Sequence, residues 1–199
     1  MRRSSRAVAS GTTWLGLVYS DLRRFELDEE PSLILFTKVA LAEPGFLASA
    51  IVRGVQTVNL RGWHRSASVL RHAALTVSGL DFMPGAQVGP GLRIHHPQGI
   101  VIGSGAIIGA DCTLFQNVTL GEQGAGRPPH EYPRLGTGVT IGSGACVLGG
   151  IQVGDGSVIG ANSVVLNDVP ARSVAVGAPA RVLFAKRGEK QDKHVPDGS

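Results

Sequence analysis

A bulky apolar residue returns every six positions through the second half of the chain. The series runs Phe82, Val88, Ile94, then Ile102, Ile108, Leu114, Leu120, then Leu135, Ile141, Val147, Val153, Ile159 and Val165. Glycine follows directly in many repeats, as at Val88-Gly89, Ile108-Gly109 and Ile159-Gly160. Four places after the bulky residue stands a small or β-branched one, such as Ala106, Cys112, Val118, Val139, Ala145, Ser157 or Ser163. An α-helix, at about 3.6 residues per turn, cannot keep every sixth residue on one face. Short fixed repeats of this kind indicate a solenoid.

The spacing predicts a parallel β-helix with triangular coils, three hexapeptides to a coil. The bulky residue points into a narrow interior, and the small one fills the space beside it. Glycine belongs near the corners, where the backbone bends. Each coil pairs with its neighbours, so the stack buries what one coil alone would expose.

Composition agrees with a thin core: aromatic residues are 5% of the chain, against 43% hydrophobic residues in all. The 28 glycines follow no Gly-X-Y period, which excludes a collagen-like chain. A length of 199 residues allows one domain, or one domain with a helical annex. The net charge is +4, with much of the basic excess at the two ends. No aromatic residues are interleaved there, so the ends read as solvated termini and no nucleic-acid partner is expected. No run of about 20 apolar residues exists, so no membrane span is predicted. The apolar stretch Trp14–Tyr19 is too short for a signal-peptide core. The two cysteines form no CxxC pair, and Cys112 takes a small inward slot. Neither disulfides nor zinc are called for, and a cytoplasmic location is expected.

In chain order, residues 1–12 read as disordered and 13–80 as an α-helical cap of two to four helices. Pro31 suits a helix first turn, and Leu33, Leu35, Phe36, Val39 and Ala40 recur at helical spacing. Pro44-Gly45 is expected to break that run. Further helices are expected over Phe46–Asn59 and Trp63–Val77. Residues 81–183 form the solenoid, which needs its open end covered, and 184–199 read as a disordered tail. The repeat is interrupted twice. Its register slips by two around His95-His96-Pro97-Gln98-Gly99, and it breaks fully over Gly121–Arg134, a segment expected to loop out. Excursions of this kind carry function more often than regular coils do.

The chain has no phosphate-binding P-loop, no Gly-x-Ser-x-Gly elbow and no metal-ligand cluster. Its histidines are more informative. His95 and His96 stand at the register slip and His130 in the looped-out segment. Asp81 precedes His96 by 15 residues, close to one coil, so the two are expected on one edge within hydrogen-bond reach. A carboxylate holding an imidazole in the right tautomer makes a general base.

The segment Gly91-Leu92-Arg93-Ile94-His95-His96-Pro97-Gln98-Gly99-Ile100-Val101-Ile102-Gly103 resembles the catalytic segment of the serine O-acetyltransferases. The resemblance continues through Gln116–Gly121 and Ile141–Ala145 and ends at Val176-Gly177-Ala178-Pro179-Ala180-Arg181. It covers about half the chain and is weak over the cap. It implies a left-handed β-helix and an acetyl-CoA-dependent enzyme with no metal. It also implies His96 as the base, Asp81 as its partner carboxylate, and a homotrimer or a dimer of trimers. Positions matching the CoA groove are Ser143 and Ala161, one coil apart, with Gly121 and Arg181 in the flanking motifs.

The departures concern the acceptor. The family's aspartate before the catalytic histidine is His95 here, and its loop arginine-histidine pair corresponds to Glu131-Tyr132. Arg127 and Arg134 are near enough in sequence to replace the lost cation, Glu131 to meet an ammonium, and His130 lies alongside. The expected reaction is acetyl transfer to L-serine, giving O-acetylserine for cysteine biosynthesis. The alternatives are a sugar O-acetyltransferase, for which His95 and Tyr132 would be neutral partners, and a non-catalytic β-helix assembly module. A zinc-dependent carbonic anhydrase of the γ type needs histidine spacing that this chain lacks. The chain ends Pro196-Asp197-Gly198-Ser199 without an apolar anchor, so no cysteine synthase complex through the tail is expected.

Overall fold

The computed structural model describes residues 13–25, 33–124 and 131–184. The expectations for residues 1–12, for the tail beyond 184, and for Arg127 and His130 lie outside them.

None of the recurring bulky residues from Phe82 to Val165 exceeds 4% exposure, and Ala106, Cys112, Val118, Val139, Ala145, Ser157 and Ser163 are buried beside them. They form three parallel sheets, one per side of a triangular coil. The first side stacks β1 (Asp81–Phe82), β4 (Val101–Ile102), β7 (Thr119–Gly121), β10 (Cys146–Leu148) and β13 (Val164–Val165). The second stacks β2 (Gln87–Val88), β5 (Ile107–Ile108), β8 (Arg134–Leu135) and β11 (Gln152–Val153). The third stacks β3 (Arg93–Ile94), β6 (Thr113–Leu114), β9 (Thr140–Ile141), β12 (Val158–Ile159) and β14 (Ser173–Val176). Register keeps like over like: Phe82, Ile102, Leu120, Val147 and Val165 form one inward column. The solenoid is a left-handed parallel β-helix. Beyond it, β15 (Arg181–Phe184) turns back antiparallel against β14.

The edge joining the third side to the first needs left-handed backbone in successive coils, at Gly99 (φ 72°), Asn117 (φ 58°), Gly144 (φ 71°) and Asn162 (φ 55°). Asparagine tolerates that region better than most residues. Its amide packs where the facing glycine has no side chain: a Cβ on Gly144 would lie 2.2 Å from Asn162 Oδ1.

The cap comprises α1 (Trp14–Leu22), a 3₁₀ turn (Arg23–Phe25), α2 (Leu33–Ala42), α3 (Pro44–Leu60) and α4 (His64–Ser78). Pro44 does end one helix, but it also begins the next, two residues ahead of the expected start at Phe46. Proline at a first helical position loses no intrahelical bond. Gly45 brings α3 onto the solenoid as bare backbone, since a Cβ there would run into the carbonyl of Ile94. Phe46 anchors the cap's own core, with Phe25 and Phe36 edge-on to it.

The cap is pinned to the first coil by a buried ion pair. Arg53 and Asp21 have fully buried side chains. Arg53 Nε and Nη2 donate to the two Asp21 oxygens at 2.8 Å. The same guanidinium donates to the Val88 and Gly89 carbonyls at 2.8 and 2.7 Å, and Leu92 N–H donates to Asp21 Oδ1 at 2.8 Å. One arginine thereby ties α1 and α3 to the turn between β2 and β3. Cys112 is a packing residue, its thiol pushed up to about 11 chiefly by burial, so it carries almost no thiolate at neutral pH.

Candidate active site

The connection from β3 to β4 has six residues, His95–Ile100, where the next coil uses four, Phe115–Val118. The two extra residues make a bulge on an otherwise regular edge. Neighbouring coils fix it: His95 N–H donates to the Leu114 carbonyl at 2.8 Å, Gly99 N–H to that of Gly79 at 2.9 Å, and Asn117 N–H to that of Gln98 at 3.0 Å. Within it His96 is exposed and holds φ 50°. That conformation is uncommon for a residue with a side chain, and such outliers gather at functional sites. His95 instead lies flat on Phe115 of the next coil, with ring centroids 4.5 Å apart and planes 8° from parallel. Burial, then the charges of Arg93 and His96, lower its pKa, so His95 is neutral at neutral pH.

Asp81 begins β1, opposite Val101, and its N–H donates to the Ile100 carbonyl at 2.8 Å. Asp81 therefore sits under the end of the bulge, on the edge where it was expected. Its carboxylate is engaged differently. Arg71 of α4 donates from Nε to Oδ1 at 2.5 Å and from Nη2 to Oδ2 at 2.7 Å. Among the described residues His96 has no hydrogen-bond partner, so the expected Asp81–His96 contact is replaced by an Asp81–Arg71 fork. The Arg71 hydrogen bond holds the Asp81 carboxyl below the usual carboxylate range, against the opposing effect of partial burial.

Ser143 and Ala161 lie further along the same edge. Gly144 N–H donates to the Gln116 carbonyl and Asn162 N–H to the Ser143 carbonyl, both at 2.8 Å. With coils about 4.8 Å apart, Ala161 is roughly 14 Å from the bulge along the solenoid axis. Beyond it, the turn after β14 bonds to Val164 from both sides, through Gly177 and Ala180, and Arg181 follows it at the far end of this edge. Gly121 does not join this row. It ends β7, where its carbonyl accepts from Gly149 N–H at 2.9 Å, on the edge between the first and second sides.

The described loop residues share that other edge. Tyr132 is folded back onto its own solenoid: a Cβ on either Gly103 or Gly105 would strike its ring, and Ser104 Oγ lies 3.5 Å from its hydroxyl. Glu131 lines a cavity of about 470 Å³ with Gln123, Gly149, Gly150, Asn167 and Asp168. Arg134 opens β8 and is exposed. Within one chain, then, Glu131, Tyr132 and Arg134 are separated from His95 and His96 by a whole side of the triangle. Among the described residues, no group of three or more His, Cys, Asp or Glu side chains is placed to hold a metal ion, and no single helix is long and apolar enough to cross a membrane.

An exposed imidazole at the head of a regular backbone edge, with an ionised carboxylate on the strand beneath, is an arrangement in which a general base can act. Residues 132–167 match the bacterial transferase hexapeptide family (six repeats). A serine acetyltransferase of Helicobacter pylori (strain J99) is 40% identical over 161 residues, which is 81% of this chain and 94% of the relative. The mitochondrial serine acetyltransferase 3 of Arabidopsis thaliana is 38% identical over 85% of this chain, which spans only 43% of that longer protein. Among solved structures, serine acetyltransferase from Brucella abortus strain S19 in complex with coenzyme A superposes with a TM-score of 0.77 at 32% identity. That match covers 86% of this chain and 68% of the other.

Proposed function

We propose that this chain, which belongs to the serine acetyltransferase family, moves the acetyl group of acetyl-CoA onto the hydroxyl of L-serine, releasing CoA and O-acetylserine. O-acetylserine carries an activated leaving group, the form in which serine is taken on to cysteine. The observation that carries the reading is the exposed, left-handed His96 at the head of the edge holding Ser143 and Ala161. His96 accepts the serine hydroxyl proton as the oxygen attacks the thioester carbonyl. The carbon–sulfur bond then breaks, and the departing thiolate takes up the proton from the imidazolium. Asp81 is the partner charge of the base on the strand beneath, its carboxylate held by Arg71. The edge from Ser143 to Arg181 binds CoA, largely through backbone groups.

The working unit in this reading is a trimer. The loop residues Glu131, Tyr132 and Arg134 stand on a different edge from His96 of their own chain, so they complete the acceptor site of a neighbour. Size-exclusion chromatography with light scattering, each fraction assayed for serine-dependent CoA release with a thiol reagent, checks both points. Activity is expected at the mass of three or six chains. Full activity at the mass of one chain would overturn the shared site, and no serine-dependent release in any fraction would overturn the activity.

A further inference from the structure

We infer that Arg71 is a positioning residue for the transfer: it fixes the Asp81 carboxylate under the end of the bulge that carries His96. The inference rests on the reading of His96 as base and Asp81 as its partner. A carboxylate has about four lone-pair sites on its two oxygens. The Arg71 fork uses one on each oxygen, at 2.5 and 2.7 Å, and fixes the plane of the group. One short segment connects everything involved. Helix α4 leads through Gly79, whose carbonyl accepts from Gly99 N–H of the bulge, directly into Asp81. Arg71, Asp81 and the bulge bearing His96 are thereby held in one frame.

A stabilising role alone explains this arrangement poorly, because the side chains of Arg71 and Asp81 are 27% and 18% exposed and ion pairs open to solvent contribute little. The other titratable or charged groups around this locus are His72 of α4, Arg93 of β3, His95 in the bulge, and Glu43 ahead of α3. Of these, none approaches Asp81 as closely as Arg71 does.

The test is steady-state kinetics of the purified full chain across neutral pH, with Arg71→Met and Arg71→Lys. For Arg71→Met, kcat is expected to fall roughly ten- to hundred-fold, the scale on which misplaced catalytic groups are felt. KM for acetyl-CoA is expected to stay nearly unchanged. Lysine keeps the charge but not the fork, so Arg71→Lys loses part of kcat, less than Arg71→Met does. An Arg71→Met enzyme with wild-type kcat, whatever its melting temperature, would overturn the inference. Were that variant not to fold, an Arg71→Lys enzyme with wild-type kcat would do the same. His96→Asn and Asp81→Asn separate the two levels. If they keep wild-type turnover, the base assignment falls and the clamp with it. If they lose it while the Arg71 variants do not, only the clamp is wrong.

Discussion

Replacing His96 with alanine will lower kcat by roughly two to four orders of magnitude, the usual loss for a general base. The melting temperature will change little, because the ring is exposed and makes no hydrogen bond among the described residues. Asparagine is the stricter substitution. It tolerates the left-handed backbone of position 96 and removes the base without adding strain. The neighbouring His95→Ala variant will lose far less turnover, since that ring packs flat on Phe115 instead of projecting outward. Measuring kcat and thermal melts for the three variants checks the assignment. Reversed effects at positions 95 and 96 would mean that the base sits on the other residue of the bulge.

The largest effect on stability is expected at Arg53. Arg53→Ala leaves the Asp21 carboxylate buried without its partner and leaves the Val88 and Gly89 carbonyls short of a donor. Breaking a buried pair on one side costs about 3–5 kcal/mol, which for a chain of this size lowers Tm by roughly 10 °C. The effect depends on pH. Burial pushes the Asp21 carboxyl above its ordinary value, and Arg53 is the main influence pulling it back. Without Arg53 the folded state binds a proton at Asp21 more tightly than the unfolded chain does. Stability of the variant therefore rises as pH falls through that range and is lost as pH rises. Thermal melts at neutral and mildly acidic pH should show the deficit shrinking on the acid side. A deficit independent of pH would mean that lost packing, not the stranded carboxylate, dominates.

The solenoid was legible in the sequence because its inward positions repeat at a fixed interval, so each of Phe82, Ile102 and Leu120 announces the next. The bulge was legible for the same reason, as two residues too many between Ile94 and Ile102. The cap was less so. Helical spacing marked Val52 and Val55 as core but gave no sign that Arg53 between them is fully buried, because its partner lies 32 residues earlier on another helix. The available hint was that Arg53 is the one charged residue in the run from Phe46 to Val58. Arg71 escaped for a related reason. Asp81 was matched with His96 by counting along a coil, and a residue approaching from α4 does not enter that count. Tyr132 was placed in the loop as a free hydrogen-bonding group, yet its ring lies on a shelf between Gly103 and Gly105. Two glycines flanking Ser104 at that corner were the signal for the shelf.

The central claim is that serine is the acceptor. The most direct measurement is kcat/KM for L-serine against a panel of sugar acceptors at saturating acetyl-CoA, with the acetylated product identified by mass. The account predicts O-acetylserine and a kcat/KM for serine well above that for any sugar. Serine turnover no faster than acetyl-CoA hydrolysis in its absence, together with acetylation of a sugar hydroxyl, would contradict it.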